Sequence, residues 1–319
     1  MDKHWCFIST ANNDRMLFHR IIEALGNDRK TIHYNRLMPC RAQYMLSDIE
    51  IVIVWSGGMP KALYEPLSTM AIPVCYIENG YFPNTIHLDH IGINYNSSVA
   101  LLGNEEFDEM LLRMPIDEEK KQYLYDEQFD QLPFRYASEV SDADDNDPLP
   151  DKYIFIPLQC KHDGNMINYA NGFTNESFVL HVLENIPDGY SLVVKEHPSD
   201  VGRIDYTEFR RSLGDAVQWR RTSRADDILR GAEELWTING SLAMEGLRKK
   251  KKVRVFGQSI FARFANDVED DDLIMRFLYY MRWNYSIHTN CWGHDIEGNK
   301  QVVWRLKQIA TRHYPWLEI

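Results

Sequence analysis

Ser191-Leu-Val-Val-Lys-Glu-His-Pro-Ser-Asp200 is the stretch on which the reading of this chain turns. Leu192 to Val194 carries the β-branched and aliphatic residues of an interior strand. Pro198 cannot continue a strand ladder. Between them stand Lys195, Glu196 and His197, at the carboxyl end of the strand. Open α/β sheets bind ligands just beyond that end, and a cation beside an imidazole suits a phosphate there. Taken alone, a strand end with solvated polar residues explains the stretch equally well, so the decision comes from its surroundings.

Toward the C-terminus, Ala216–Arg220, Glu234–Ile238 and Val253–Phe256 read as further strands, separated by helical stretches at Tyr206–Leu213, Asp226–Arg230 and Leu242 to about Lys250. The strand at 234–238 breaks at Asn239-Gly240-Ser241, and a helix follows at once. Strand, Gly-Ser, helix is a phosphate-site pattern, because free backbone N–H groups and the helix dipole both favour an anion. Ser241 adds a hydroxyl. Glu245 lies one turn further on the same face, within reach of a ribose hydroxyl. Toward the N-terminus, a helix over Glu176–Asn185 starts at a Thr174 or Asn175 cap. Before it, the strand Tyr153–Leu158 runs into Gln159-Cys-Lys-His-Asp163. The basic run Arg248–Lys252 has two readings: a solvated helix end that complements the dipole, or a peripheral contact with anionic lipid headgroups of the inner membrane.

The first half alternates in the same way. Strands are expected at His4–Ser9, Lys30–Tyr34, Ile49–Trp55 and Pro73–Ile77. Helices are expected from Met16 to Leu25, closed by Gly26, and from Pro60 to Met70. Such alternation means parallel sheets with crossover helices. Gly57 and Gly58 follow the third strand, where glycines let a ligand approach the backbone, though a tight turn explains them equally. Glu78 directly follows a buried strand on the ligand side, with a cap or salt bridge as the plainer alternative. Asn84–Val99 is aperiodic and polar and reads as an ordered loop. Its His87, Asp89 and His90 lack the further ligands a metal site needs. Helices are expected again over Phe107–Met114 and Glu118–Phe129. Ser138–Asp151 is acidic and proline-bearing, a linker that sets a boundary between domains 1–145 and 146–290. Asp271–Trp283 and Lys300–Thr311 read as helices. The last segment, 291–319, is expected to pack back on the N-terminal domain.

The composition narrows the function classes. With 319 residues, 44% hydrophobic and 12% aromatic, the chain is long and apolar enough for two cored domains. A net charge of −12 excludes the basic footprint of a general nucleic-acid binder. The cysteines are scattered without a C-x-x-C pair, and no signal peptide is evident, so a cytoplasmic protein with reduced thiols is expected. No apolar run reaches the length of a membrane helix. The acidic runs Asp142–Asp145 and Glu269–Asp272 read as solvated, and no metal is expected.

Lys195-Glu-His-Pro198 and Asn239-Gly-Ser241-Leu-Ala-Met-Glu245, taken together, resemble the retaining β-Kdo glycosyltransferases of bacterial capsule assembly. Those proteins are also described as capsular polysaccharide biosynthesis or export proteins. Glu78-Asn-Gly, Gly92-Ile-Asn94, and Pro157-Leu-Gln159 with Asp163 extend the resemblance over most of the chain, in the same order. It implies a GT-B-like α/β fold, two Rossmann-like domains with parallel sheets facing a central cleft. It implies CMP-Kdo as donor, a saccharide or glycolipid as acceptor, and no metal. His197 and Ser241 would hold the donor phosphate, Glu245 the ribose and Lys195 an anionic donor group. Gln159, Pro198, Asn239, Gly240, Gly57 and Gly58 would line the substrate. Asp163 falls at the position of the nucleophile and Glu78 at that of the acid/base, the two carboxylates that double displacement requires. The chain departs from larger members in being short, and in the basic run Cys160-Lys-His162 before Asp163. Two other classes fit a similar pattern: a CDP-alditol phosphotransferase, and a non-catalytic polysaccharide-assembly protein.

Overall fold

The computed structural model describes residues 3–9, 12–26, 30–35, 46–55, 59, 61–126, 147–289 and 295–318. The chain divides into two compact units, Met1–Met114 with Tyr279–Ile319, and Pro115–Leu278. In chain order the first unit has β1 (His4–Ser9), α1 (Asn12–Leu25), β2 (Lys30–Asn35), β3 (Ile49–Trp55), α2 (Lys61–Thr69), β4 (Val74–Asn79), β5 (Thr85–Asp89) and α3 (Asn104–Arg113). The second has α4 (Glu118–Leu124), β6 (Tyr153–Pro157), α5 (Gly164–Tyr169), α6 (Asn175–Asn185), β7 (Ser191–Lys195), α7 (Thr207–Leu213), β8 (Val217–Arg220), α8 (Ala225–Gly231), β9 (Glu234–Thr237), α9 (Leu242–Arg248), β10 (Lys252–Val255), α10 (Ala262–Asn266) and most of α11 (Asp271–Tyr280). The chain then returns to the first unit with β11 (Ser286–His288) and α12 (Ile296–Ala310).

The second unit is the more regular. Its sheet runs β10-β9-β6-β7-β8, with every pairing parallel. Its first strand, β6, is therefore central. The chain builds outward to β7 and β8 on one side, then crosses to β9 and β10 on the other. The near-continuous apolar runs predicted for strands covered on both faces are buried: Ile154, Phe155 and Ile156 on β6, Leu192 to Val194 on β7, Leu235 and Trp236 on β9. Helix α6 carries a full capping box, Thr174 with Ser177, which satisfies N–H groups that a helix start leaves open.

Among the described residues the first unit has a six-stranded sheet of order β11-β5-β4-β3-β1-β2. Strands β1 to β4 are parallel, as the alternation implied. Strand β5 is antiparallel to β4 and to β11, which corrects two expectations. Part of the stretch 84–99 is a strand rather than a loop, and the sheet is mixed. Residues 85–89 alternate polar and apolar, yet all five are buried. Thr85, His87 and Asp89 therefore read as loop residues in sequence while occupying the interior of a sheet.

The units do not divide at 145/146 and 290/291. Helix α4 goes with the second unit, where Leu124 is buried and its carbonyl accepts from Arg248 Nη1 at 3.1 Å. The chain is back in the first unit from Tyr279, anchored by Tyr280 donating to the Trp316 carbonyl at 2.8 Å. The C-terminal helix α12 contacts α1, β4 and β5 of that unit. Most of the expected linker lies outside the described residues. The helix expected over 271–283 ends at Tyr280 and continues as a π-helical turn, Met281–Tyr285. Among the described residues no helix is long and apolar enough to cross a membrane.

Candidate active site

In the second unit the chain leaves β6, β7 and β9 at neighbouring positions, on the two sides of the central strand. Asn175, 2% exposed, fixes the first of these exits. Its Oδ1 accepts from the Gln159 N–H at 3.1 Å, and its Nδ2 donates to the Gln159 carbonyl at 2.8 Å and to Tyr206 Oη at 2.9 Å. Gln159 is thereby aimed at β9, where its Nε2 donates to Thr237 Oγ1 at 3.2 Å. The same hydroxyl accepts from the Gly240 N–H at 3.1 Å. A Cβ at Gly240 would lie 2.4 Å from Gln159 Nε2 and 2.9 Å from Thr237 Oγ1, so a side chain here would displace the Gln159 amide from Thr237. Asn239 is buried, donates to the Asn165 carbonyl at 3.1 Å, and has an Oδ1 with no hydrogen-bond partner. Ser241 opens α9 and is exposed.

The β6 and β7 exits are tied by a residue that the motif reading passed over. Asp200, 3% exposed, accepts from the Lys161 N–H at 2.8 Å and from Cys160 Sγ at 3.5 Å. That bends the basic run 160–162 and presents Asp163, exposed, at the start of α5. Asp163 Oδ1 caps this helix by accepting from the Asn165 N–H at 2.8 Å. His197 Nδ1 accepts from the Ser199 N–H at 3.1 Å, so the proton of the neutral ring is on Nε2. Burial lowers the His197 pKa; Lys195 lowers it further, while Asp200 and Asp163 oppose. A neutral imidazole with Nε2 as donor can hold an anion without carrying a charge itself. Pro198 is half-buried beside it.

Two residues expected to touch a ligand are internal. Lys195, 4% exposed, donates to the carbonyls of Glu196 at 3.0 Å and Arg221 at 3.4 Å. It braces the end of β7 rather than projecting beyond it. Glu245, 1% exposed, is paired with Arg248 at 2.9 Å, its other oxygen having no hydrogen-bond partner. Burial raises its pKa against the pull of Arg248. The basic run is paired within the unit as well. Lys249 lies 3.7 Å from Asp226, Lys250 3.8 Å from Asp271 and Lys252 2.7 Å from Glu234, while Lys251 donates to the Arg230 and Ala232 carbonyls. Each cation has a partner within the unit, and Lys250 and Lys252 remain exposed beside theirs.

In the first unit Glu78 lies inside β4 rather than after it, half-buried, with its Oε1 accepting from the Asn79 N–H at 2.7 Å. Gly80 permits the turn into β5, since a Cβ there would meet Thr85 Oγ1 at 1.9 Å. Asp89 is fully buried and accepts from the N–H groups of Ile91, Gly92 and Ser98, the Ser98 hydroxyl and Tyr285 Oη. These bonds shape the loop that contains Gly92-Ile-Asn94. Gly57 and Gly58 lie outside the described residues, as do Asp142 to Asp145. Glu269 and Asp270 precede α11, and Asp271 and Asp272 open it, where Asp272 pairs with Arg276 at 2.7 Å. Among the described residues no three His, Cys, Asp or Glu side chains are grouped as a metal site. A separate hollow of about 630 Å³, lined by Thr207, Arg210, Arg211 and Trp219 among others, contains none of the expected site residues.

These features define the class: an α/β protein of the GT-B-like type, with a polar site at the carboxyl ends of a parallel sheet. Residues 134–264 match the model of the family described as capsule polysaccharide biosynthesis protein. The capsule polysaccharide modification protein LipB of Neisseria meningitidis serogroup A is 28% identical over 121 residues, 34% of this chain and 29% of that protein. The chain thus spans under a third of that curated relative. Protein FixF of Sinorhizobium fredii is 21% identical over 93% of this chain and 71% of its own length. Of the solved structures, the Thermosulfurimonas dismutans KpsC β-Kdo 2,7 transferase superposes with a TM-score of 0.59 at 16% identity, covering 95% of this chain and 98% of that one. The β-Kdo 2,4 transferase of the same KpsC gives 0.55 at 14% identity, over 85% and 88%. At such identities the likeness is one of fold. The resemblance to capsule biosynthesis proteins drawn from the motifs holds, and the family match falls on the stretch that carries Asp163, Lys195–Pro198 and Asn239–Glu245.

Proposed function

We propose that this chain is a retaining glycosyltransferase that moves Kdo from CMP-Kdo to a saccharide or glycolipid acceptor in surface polysaccharide assembly. One observation carries the reading. His197, Asp163 and the Gln159–Gly240 corner converge at one end of the second sheet, within the stretch that matches the capsule biosynthesis family. The shared fold with two solved β-Kdo transferases supports the choice of sugar.

In this reading His197 Nε2–H and the Ser241 hydroxyl hold the single phosphate of the donor. Asp163 attacks the anomeric carbon, the bond to the phosphate oxygen breaks, and CMP leaves with the bonding pair. An acceptor hydroxyl then displaces Asp163 and gives its proton to Glu78. Lys195 and the Glu245–Arg248 pair act as internal braces, and the other Glu245 oxygen is buried without a hydrogen bond. A monophosphate leaving group with two hydrogen-bond donors needs no metal, so turnover is expected to survive EDTA. A nucleotide-sugar donor also fits a cytoplasmic protein with reduced thiols.

The test is to incubate the protein with CMP-Kdo and, separately, CDP-glycerol, and to score CMP release. Release from CMP-Kdo alone supports the reading. Release from CDP-glycerol alone means a CDP-alditol phosphotransferase, and release from neither means a non-catalytic assembly protein.

A further inference from the structure

His87 is fully buried, and neither of its ring nitrogens has a hydrogen-bond partner. The ring is stacked with Tyr81, at 5.4 Å and 12°, and with Tyr285, at 5.3 Å and 25°. A phenyl ring would fill the same slot without leaving polar atoms unsatisfied, and such atoms cost stability. Packing therefore does not account for an imidazole at this position.

The strand register says what does. His87 on β5 is directly opposite Glu78 on β4 and directly opposite Ser286 on β11. Directly opposed residues of antiparallel strands share a face, with Cβ atoms about 5 Å apart. Ser286 Oγ is likewise buried without a partner. Glu78, His87 and Ser286 thus form a polar row across the sheet, with the imidazole in the middle. Thr85 and Asp89 share this face of its own strand, and the two tyrosines stack on the ring. Burial holds the ring neutral, its pKa lowered to about 4 against the pull of Asp89, so it offers one donor and one acceptor. Stacking against two tyrosines fixes its plane, and closing a bond therefore falls to the Glu78 side chain.

We propose that His87 is the positioning residue of Glu78: in the donor-bound enzyme it donates one ring N–H to the Glu78 carboxylate while its other nitrogen accepts from the Ser286 hydroxyl. This rests on the reading of Glu78 as the acid/base. His87, fully buried, touches no substrate and acts through the carboxylate that does. The stability lost to unsatisfied nitrogens in the free protein is the counterpart of a carboxylate oriented during turnover.

The experiment uses His87→Phe and His87→Gln in the full chain, with CMP-Kdo as donor and water as acceptor. His87→Phe is expected to melt above the wild type, because it removes the unsatisfied nitrogens and keeps the stack. Its first equivalent of CMP should be released normally. Steady-state release should then slow by about tenfold to a hundredfold, the scale of a misplaced catalytic group, while a mass of one Kdo builds up on Asp163. His87→Gln, which restores a donor and an acceptor, should recover part of the rate. A His87→Phe protein that melts lower or fails to fold, or that turns over at the wild-type rate, overturns the inference. If Glu78→Gln is itself fully active, the underlying assignment of Glu78 has failed. If Glu78→Gln is slow and His87→Phe is not, only the role of His87 has failed.

Discussion

The two sheets treat their polar residues in opposite ways. In the second unit polar groups gather where strands end, and several buried carboxylates there have side-chain partners: Glu245 with Arg248, Glu234 with Lys252, and Glu196 with the indole N–H of Trp219 at 2.6 Å. In the first unit polar groups sit within a strand, as Glu78, His87 and Asp89 do. Asp89 has its hydrogen-bonding capacity filled several times over, while neither ring nitrogen of His87 has a hydrogen bond. A parallel strand that stops at a polar cluster presents chemistry on a turn, where Asp163 and His197 are found. An antiparallel ladder holds a carboxylate rigidly between neighbours, as it holds Glu78.

The largest effect expected from this contrast is at Asp163. Asn caps a helix as well as Asp does, so Asp163→Asn should melt like the wild type and still bind CMP. Its turnover should fall by on the order of a thousandfold or more, because the nucleophile is gone. An active Asp163→Asn enzyme would reduce this carboxylate to a cap.

Glu78→Gln comes next. General acid–base groups contribute roughly 10²- to 10⁴-fold, and the loss should appear in the second half-reaction. Intact-protein mass spectrometry with CMP-Kdo and no acceptor should find one added Kdo, and peptide mapping should locate it on Asp163. An adduct on another residue breaks the assignment of roles to the two sheets.

Arg248→Ala tests the paired interior of the second unit. Breaking a buried pair by removing one partner costs about 3–5 kcal/mol, read as a lower denaturation midpoint. Should CMP affinity collapse while the midpoint stays, Glu245 and Arg248 serve the ligand rather than the core.

The smallest effect is at the phosphate. His197→Ala and Ser241→Ala should each weaken CMP binding by about 1.5–3 kcal/mol, the value of a hydrogen bond to a charged group. Calorimetry giving unchanged binding in both would remove them from the site.

Much of the second unit was legible because its signals are local. A run such as Tyr153–Leu158 is apolar on both faces, and a break such as Asn239-Gly240-Ser241 follows at once, so strand, exit and helix are written in consecutive residues. Even so, the short α5 behind Asp163 escaped the reading, since its six residues show no helical period. Asp200 escaped it too, because its partners lie 39 and 40 residues away. In the first unit β5 was lost because three of its five buried residues, Thr85, His87 and Asp89, are polar. The partner that makes Asp89 an interior residue, Tyr285, is 196 residues distant.

The sequence by itself determined the alternation of strands and helices, the parallel core of each sheet and the motifs at the strand ends, because period and punctuation act over a few residues. Tertiary structure alone decided which of the polar residues in those motifs face outward. Lys195 and His197 are two residues apart, yet one is turned onto backbone carbonyls and the other is held by Ser199 with its Nε2 as donor. Which way each turns depends on carbonyls and carboxylates delivered by other strands, and that is set only when the sheet has closed around them.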